Sequence, residues 1–329
     1  MNKLIFGYGV TGKAVEAFLN KQNIPYKIFD ENLTENYDNK IFKDELFKED
    51  YDEVILSPGI QENNKILNLL RSKNLSVITD IDLFDKYHNQ KSTIIGITGT
   101  NGKTTFVNLL SDFLKLEGFK TKACGNIGES PLSILDDDYD YDYIIIELSS
   151  YQLHHTKSIQ LDYGIVLNIA SDHIDWHGSL KDYIQSKSKI FSFANKDKVI
   201  FYDNIFSNTE SRKPHVSKVN IGKYNFQELN LPKGLSRSFL DMINFLDLGK
   251  ENTLKRGYEY LKNVKPIEHR FENISFSEDV IYINDSKATN FHAVSSAINR
   301  VKNGILILHG LTKNMPSSEL KLNKNIKKI

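Results

Sequence analysis

At 329 residues the chain is too long for one ordinary hydrophobic core, so two or three domains are expected. Its 42 Lys plus Arg offset 42 Asp plus Glu, so no bulk field gathers nucleic acid or an anionic membrane, and neither partner is expected. Cys124 is the single cysteine, which excludes an internal disulfide and a Cys-based zinc site and suits a reducing compartment.

The opening MNKLIFGYGV holds a short apolar run broken by glycines, too short for a signal-peptide core. No stretch approaches the ~18 apolar residues of a membrane helix. The expectation is a soluble, cytoplasmic protein without membrane insertion.

The first segment covers residues 1–88. Leu4 to Phe6 read as a strand, GYGVTG as a turn and KAVEAFLNK as a helix. YKIFD (26–30) and EVILSPG (53–59) read as further strands. Short apolar strands alternating with helices predict a parallel sheet. Gly7, Gly9 and Gly12 are spaced G-x-G-x-x-G after a strand, and Asp30 follows 18 residues after Gly12. This is a dinucleotide-type fingerprint. It suits NAD, or any diphosphate-linked ribose, with Asp30 on the ribose hydroxyls; a tight β-α turn is the alternative. KYHNQKS (86–92) reads as a linker.

The second segment, 89–264, opens with IIGITGTNGKTTFVNLL, an apolar strand running into a Gly- and Thr-rich turn and then a helix. Phe106, Leu109, Leu110, Phe113 and Leu114 share one helical face, and Gly118 ends the helix. TGTNGKTT is not a literal G-x-x-x-x-G-K-[ST], because Ile97 holds the first glycine position. The mechanism survives: Gly99 and Gly102 let backbone N–H groups approach phosphate, Lys103 meets the β/γ-phosphates and the Thr104 hydroxyl suits Mg²⁺. Thr100, Asn101 and Thr105 complete the predicted ATP loop. YIIIELSS (143–150) places Glu147 at a buried strand's C-terminal end, as a second magnesium ligand or a solvated carboxylate. YGIVLNIA (163–170) brings Asn168 to the same end of the sheet, where ligands bind in parallel sheets. NIASDHIDWHGS carries Asp172, His173, Asp175 and His177, as metal ligands or as solvated loop residues.

The third segment, 265–329, reads as a strand (VIYIND), a helix (NFHAVSSAINRV), a strand (GILILHG) and a lysine-rich tail. It is small for an α/β domain, so a truncated domain is expected. Two phosphate-binding turns need a joint explanation. A dehydrogenase uses only the first and a kinase only the second; a ligase joining a nucleotide-linked substrate to another molecule with ATP uses both.

The motifs resemble the bacterial peptidoglycan precursor ligases, the Mur ligase family. GYGVTGKA, SPGI (57–60), TGTNGKTT, GNIG (125–128), ELSSYQL (147–153), NIASDHIDWHG, YIQSKSKIF (183–191), EHRFE (268–272) and NDSKATN (284–290) run in family order. ELSSYQL with NDSKATN is similar to the D-glutamate-adding members. The resemblance implies an α/β, three-domain architecture: a Rossmann-like N-terminal domain, a central P-loop ATPase domain and a truncated Rossmann-like C-terminal domain. It also implies UDP-N-acetylmuramoyl-L-alanine, D-glutamate and ATP as substrates, with Mg²⁺ and a monomeric protein. Gly9, Val10, Thr11, Asp30, Asn126 and His173 would bind the UDP substrate. His173 and Lys187, the latter as a CO₂-derived carbamate, would hold metal together with Thr104 and Glu147. An ammonium cannot ligate Mg²⁺, whereas a carbamate oxygen can; without the resemblance Lys187 reads as a solvated lysine. His269, Arg270 and Asp285 would lie on the ATP side, and Lys287, Thr289 and Lys313 would hold the incoming D-glutamate.

Two departures stand out. KGLSRSFLDMINFL places Ser236 and Arg237 where the family carries a Gly-x-His-Asn-x-x-Asn pattern reaching adenine. The family's C-terminal domain continues beyond Lys313, around which HGLTKN replaces a more glycine-rich loop, and supplies a further Ser and Phe. Other readings are a ligase of the same group adding another amino acid or acting on folate, a non-catalytic UDP-sugar- and ATP-binding relic, and an NAD-dependent oxidoreductase.

Overall fold

The computed structural model describes residues 2–32, 39–88, 91–135, 140–201, 224–229, 231–265, 267–275, 280–310, 320 and 322–328. In chain order the first elements are β1 (Lys3–Phe6), α1 (Val10–Lys21), β2 (Tyr26–Phe29), β3 (Glu53–Leu56), α2 (Lys65–Ser72), β4 (Ser76–Ile78) and α3 (Asp80–Tyr87). Then come β5 (Thr93–Thr98), α4 (Lys103–Leu116), β6 (Thr121–Gly125), β7 (Tyr143–Glu147), α5 (Ser150–His155), β8 (Tyr163–Val166), α6 (Ile174–His177), α7 (Leu180–Ser188), α8 (Ile190–Phe193) and β9 (Val199–Phe201). The last are α9 (Lys233–Phe245), α10 (Thr253–Asn263), β10 (Glu272–Ser275), β11 (Ile281–Asn284), α11 (Phe291–Ile298), β12 (Gly304–Ile305) and β13 (Ile326–Lys328). The chain divides into two compact units: Met1–Thr98 with Gly118–Ile165 and Ser186–Val199, and Gly99–Glu117 with Val166–Gln185 and Ile200–Ile329.

The first unit is built on two sheets, ordered β2-β1-β3-β4 and β6-β7-β5-β8-β9. The pairings β1–β2, β1–β3, β3–β4, β5–β7 and β6–β7 are all parallel, as the alternating sequence pattern predicts. Every residue of β1 is buried, because a parallel sheet is covered on both faces. Leu4, Phe6, Val54 and Leu56 share one core with Leu46, Leu67 and Leu70. α1 starts at Val10, inside the stretch read as a turn, and Gly9 is its N-cap. Gly12 therefore lies in the first helical turn, where an added Cβ would sit 2.2 Å from the Gly7 carbonyl oxygen. Only glycine permits that close approach.

Capping boxes open α3 (Thr79 with Asp82) and α5 (Ser149 with Gln152), satisfying first-turn N–H groups. α3 runs to Tyr87 and so takes the first two residues of the expected linker. Asp82 Oδ1 accepts from the Lys157 and Ser158 N–H groups, both at 2.7 Å, which ties α3 to the chain after α5.

In the second unit α4 packs its apolar face on α9 and α10. Phe113 meets Phe239 edge-on at 5.5 Å between centroids and also contacts Tyr260. At the end of α4, the Glu117 carboxylate receives two 2.8 Å bonds from the Arg256 guanidinium, and the first of these influences, that hydrogen bonding, holds its carboxyl below the ordinary range. β11 pairs antiparallel with β10, a strand the sequence pattern does not signal. β12 spans Gly304–Ile305, shorter than the strand expected over GILILHG, and pairs parallel with β13. β10 (ENIS) and β13 (IKK) each carry a single apolar residue, so the alternation that marks a strand is weak in them.

Candidate functional site

In the first unit the site residues gather at the C-terminal ends of the central strands. Ile97 of β5 is in register with Glu147 of β7, which is in register with Gly125 of β6. Glu147 is 1% exposed, so it is not the solvated strand-end carboxylate that the sequence leaves open. Asn126 Nδ2 donates to Glu147 Oε1 at 2.9 Å, which brings two of the predicted residues into direct contact. A carboxylate held at the C-terminal end of a central strand offers hard oxygen atoms of the kind that can hold Mg²⁺.

Lys187 is likewise 1% exposed, against its reading as a solvated lysine. Its Nζ lies 3.3 Å from Oγ1 of Thr98, the last residue of β5. Lys187 is thus a buried lysine beside the strand that feeds the phosphate loop.

The glycine turn after β1 keeps Gly9 and Val10 exposed, Val10 at 78%. Thr11 is half-buried. Asp30 Oδ2 accepts the Tyr8 N–H at 2.6 Å and Oδ1 accepts that of Asn32 at 2.8 Å. The carboxylate thus braces the turn that the fingerprint places at a diphosphate.

In the second unit the phosphate loop, Gly99 to Thr105, is held from below by Asn168. Its Oδ1 accepts the Asn101 N–H at 2.8 Å and its Nδ2 donates to the Asn101 carbonyl at 2.9 Å. The Thr100 N–H donates to the Asn168 carbonyl at 2.9 Å, and Thr100 Oγ1 lies 2.8 Å from the Tyr183 hydroxyl. The Thr100 and Asn101 N–H groups are therefore committed. Donors for a phosphate begin at Gly102, the N-cap of α4, where first-turn N–H groups have no intrahelical acceptor. Lys103 Nζ donates to the carbonyls of Gly99 (2.9 Å) and Thr100 (3.0 Å), which holds the ammonium over the loop. Thr104 follows it at half-burial and Thr105 is buried.

Asn290, to which the sequence assigns no role, joins three motifs. Its Nδ2 donates to Asn101 Oδ1 at 2.9 Å and to Asp172 Oδ2 at 3.1 Å, and Asn101 Nδ2 donates back at 3.3 Å. Asn290 also caps α11 through the Ala293 N–H. Asp172 Oδ1 accepts the N–H of His173, and His173 adopts a left-handed backbone with φ of 55°. TGTNGKTT, SDHIDWHG and NDSKATN thus meet through the partly buried Asn101 amide and the buried Asp172 and Asn290 side chains. Lys287 and Thr289, next to Asn290 in the chain, are exposed. Arg270 is half-buried, and burial pushes the Asp285 carboxyl up although it accepts the Phe271 N–H at 2.9 Å. Lys313 lies outside the described residues.

The departing segment is helix α9. Ser236 is fully buried and donates to the Pro232 carbonyl at 3.2 Å, while Arg237 is half-exposed and 3.8 Å from Asp241.

The Mur ligase middle-domain family matches residues 97–253. The chain is 32% identical over 332 residues to the UDP-N-acetylmuramoylalanine--D-glutamate ligase of Francisella philomiragia, covering 94% of this chain and 75% of that protein. It is 33% identical over 280 residues to the enzyme of the same name from Thermotoga maritima, covering 80% and 64%. Among solved structures it resembles the MurF ligase of Thermotoga maritima in complex with ADP, at a TM-score of 0.51 and 17% identity over 92% of this chain and 72% of that one. The chain therefore belongs to the Mur ligase family, among the relatives of the UDP-N-acetylmuramoylalanine--D-glutamate ligases.

Proposed function

We propose that the chain is an ATP-dependent, amide-forming ligase that adds D-glutamate to UDP-N-acetylmuramoyl-L-alanine in cytoplasmic peptidoglycan precursor synthesis. The observation that carries this reading is the junction of Asn101, Asp172 and Asn290, which ties the phosphate loop to the two motifs assigned to substrates. The printed names of the relatives support the reaction, and ADP in the related MurF crystal supports ATP as the phosphate donor.

Residues 1–88 take the UDP substrate through Gly9, Val10, Thr11 and Asp30, with Asn126 and His173 on its UDP-sugar portion. Residues 89–264 hold ATP, and 265–329 receive D-glutamate through Lys287, Thr289 and Lys313, with Arg270 and Asp285 on the ATP side. Lys103 neutralises the transferring phosphate. Thr104, Glu147, His173 and a carbamate on Lys187 are the residues that would hold Mg²⁺, which supplies charge neutralisation when bound.

An unactivated carboxylate is a poor electrophile. The substrate's carboxylate attacks the γ-phosphate of ATP, ADP leaves, and an acyl phosphate forms. The amine of D-glutamate attacks that carbonyl, gives up a proton, and phosphate departs from the tetrahedral intermediate. The protein contributes positioning and charge stabilisation to both steps.

The test supplies the full chain with ATP, Mg²⁺, bicarbonate, UDP-N-acetylmuramoyl-L-alanine and D-glutamate, and follows amide and phosphate together. Amide that requires D-glutamate and vanishes in Lys103→Ala supports the ligase. UDP-substrate binding without any product would instead mark a non-catalytic relic.

A further inference from the structure

Two adjacent histidines end α5, and the ligase chemistry uses neither. His154 Nε2 lies 3.2 Å from Glu62 Oε2, and His155 Nδ1 lies 3.6 Å from the same oxygen. All three atoms lie within 4.8 Å of one another. Ligands around a tetrahedral ion with bonds of ~2.0–2.1 Å are separated by about 3.4 Å, between the two measured distances.

The surrounding groups orient these atoms as metal ligands are oriented. His155 Nε2 is 2.9 Å from the Ile60 carbonyl, which can only accept, so Nε2 carries the proton. Nδ1 then presents its lone pair toward Glu62, from a side chain only 1% exposed. A lone pair facing a carboxylate oxygen is two acceptors together, and a cation between them turns repulsion into attraction. Without an ion, His154 Nε2–H donates to Glu62, and the Ser186 hydroxyl lies 3.0 Å from Nδ1; because that hydroxyl can also accept, the proton can move to Nδ1 and leave Nε2 to coordinate an ion. The Arg71 guanidinium holds the other oxygen of Glu62, fixing the carboxylate plane. Glu62 is half-exposed, so an ion can enter and keep a water in its remaining position.

We propose that Glu62, His154 and His155 form a site for a divalent transition-metal ion of the Zn²⁺ class, which fastens the loop after β3 to the end of α5. Two imidazoles and one carboxylate suit Zn²⁺ or Co²⁺, whereas Mg²⁺ takes oxygen ligands. This site is separate from the magnesium ligands assigned above and shares no residue with them.

The test uses the full chain after treatment with EDTA. Zn²⁺ is titrated by calorimetry and Co²⁺ by visible absorption. One equivalent should bind, with tetrahedral-type Co²⁺ bands, and millimolar Mg²⁺ should not displace it. Glu62→Gln and His154→Ala should each weaken Zn²⁺ binding at least ~10-fold. Both are accessible positions, and their melting temperatures in EDTA should match the parent chain, which separates lost coordination from lost folding. Binding that persists unchanged in both variants belongs to other residues and overturns the proposal. So does a stoichiometry far below one, or equal competition by Mg²⁺.

Discussion

Replacing Asp80 by asparagine should change how stability responds to pH. Asp80 begins α3 and is 1% exposed. Its Oδ2 accepts from the Ser130 hydroxyl at 2.8 Å, and its Oδ1 makes no hydrogen bond. Burial pushes its carboxyl from 3.8 up to about 6, outweighing the Ser130 and Ile81 donors, and the neighbouring Asp82 charge adds to the rise. A carboxyl raised on folding binds more protons in the folded state, so stability falls as pH rises through that window and is level above it. At about 1.36 kcal/mol per pKa unit the ionised group costs on the order of 3 kcal/mol above pH 6. The linkage relation leaves about 2 kcal/mol of that to appear between about pH 4.5 and 7.5. Asparagine keeps an acceptor for Ser130 but buries an amide N–H₂ at the unbonded position, costing ~1–3 kcal/mol at every pH. The readout is therefore the slope and not the absolute value. Urea unfolding would be followed by circular dichroism across that range, while fluorescence of the single tryptophan, Trp176, reports the other unit separately. The variant should gain on the parent as pH rises. Parallel curves would refute the assignment of a buried, ionisable Asp80.

Three further outcomes are expected. Lys187→Ala should lower turnover at least ~100-fold and abolish any dependence on bicarbonate, as removal of a preorganised charge does; a bicarbonate-independent parent enzyme would remove the carbamate from the account. Gly125→Ala should destabilise the first unit by ~1–3 kcal/mol from its φ of 103° alone, and its Cβ would meet the Glu147 carbonyl at 2.3 Å. Its melting temperature and its Mg²⁺ requirement should therefore shift together. Asn290→Ala should cost ~1 kcal/mol as a lost helix cap and raise the KM for ATP by loosening Asn101, so an unchanged KM would deny the junction its role.

Local chemistry explains what the sequence reveals and what it hides. The phosphate loop is legible because glycines, a lysine and a threonine must fall in a fixed order between an apolar strand and a helix. The parallel sheets are legible because buried strands such as Tyr143–Glu147 are nearly unbroken apolar runs. The start of α1 is not, since Gly9 and Gly12 read as turn residues until the contact between Gly12 and Gly7 is known. Asn290 lies 189 residues from Asn101, and no local pattern links two amides so far apart. Nor does spacing reveal that Lys187 is buried while its neighbour Ser188 is partly exposed. The pairing of Glu62 with His154 depends on a fold that returns the chain across 92 residues. Strand β10 escapes because Glu272–Ser275 (ENIS) carries a single apolar residue, whereas its partner β11 lies within VIYIND and is legible as a strand.

The most direct measurement is isotope transfer. UDP-N-acetylmuramoyl-L-alanine labelled with ¹⁸O in its carboxylate is turned over with ATP and D-glutamate, and the released phosphate is analysed by mass spectrometry. Attack of the carboxylate on the γ-phosphate predicts one ¹⁸O in each phosphate released with amide. Amide accompanied by unlabelled phosphate would contradict the acyl-phosphate route, and phosphate release with no amide would contradict the ligase itself.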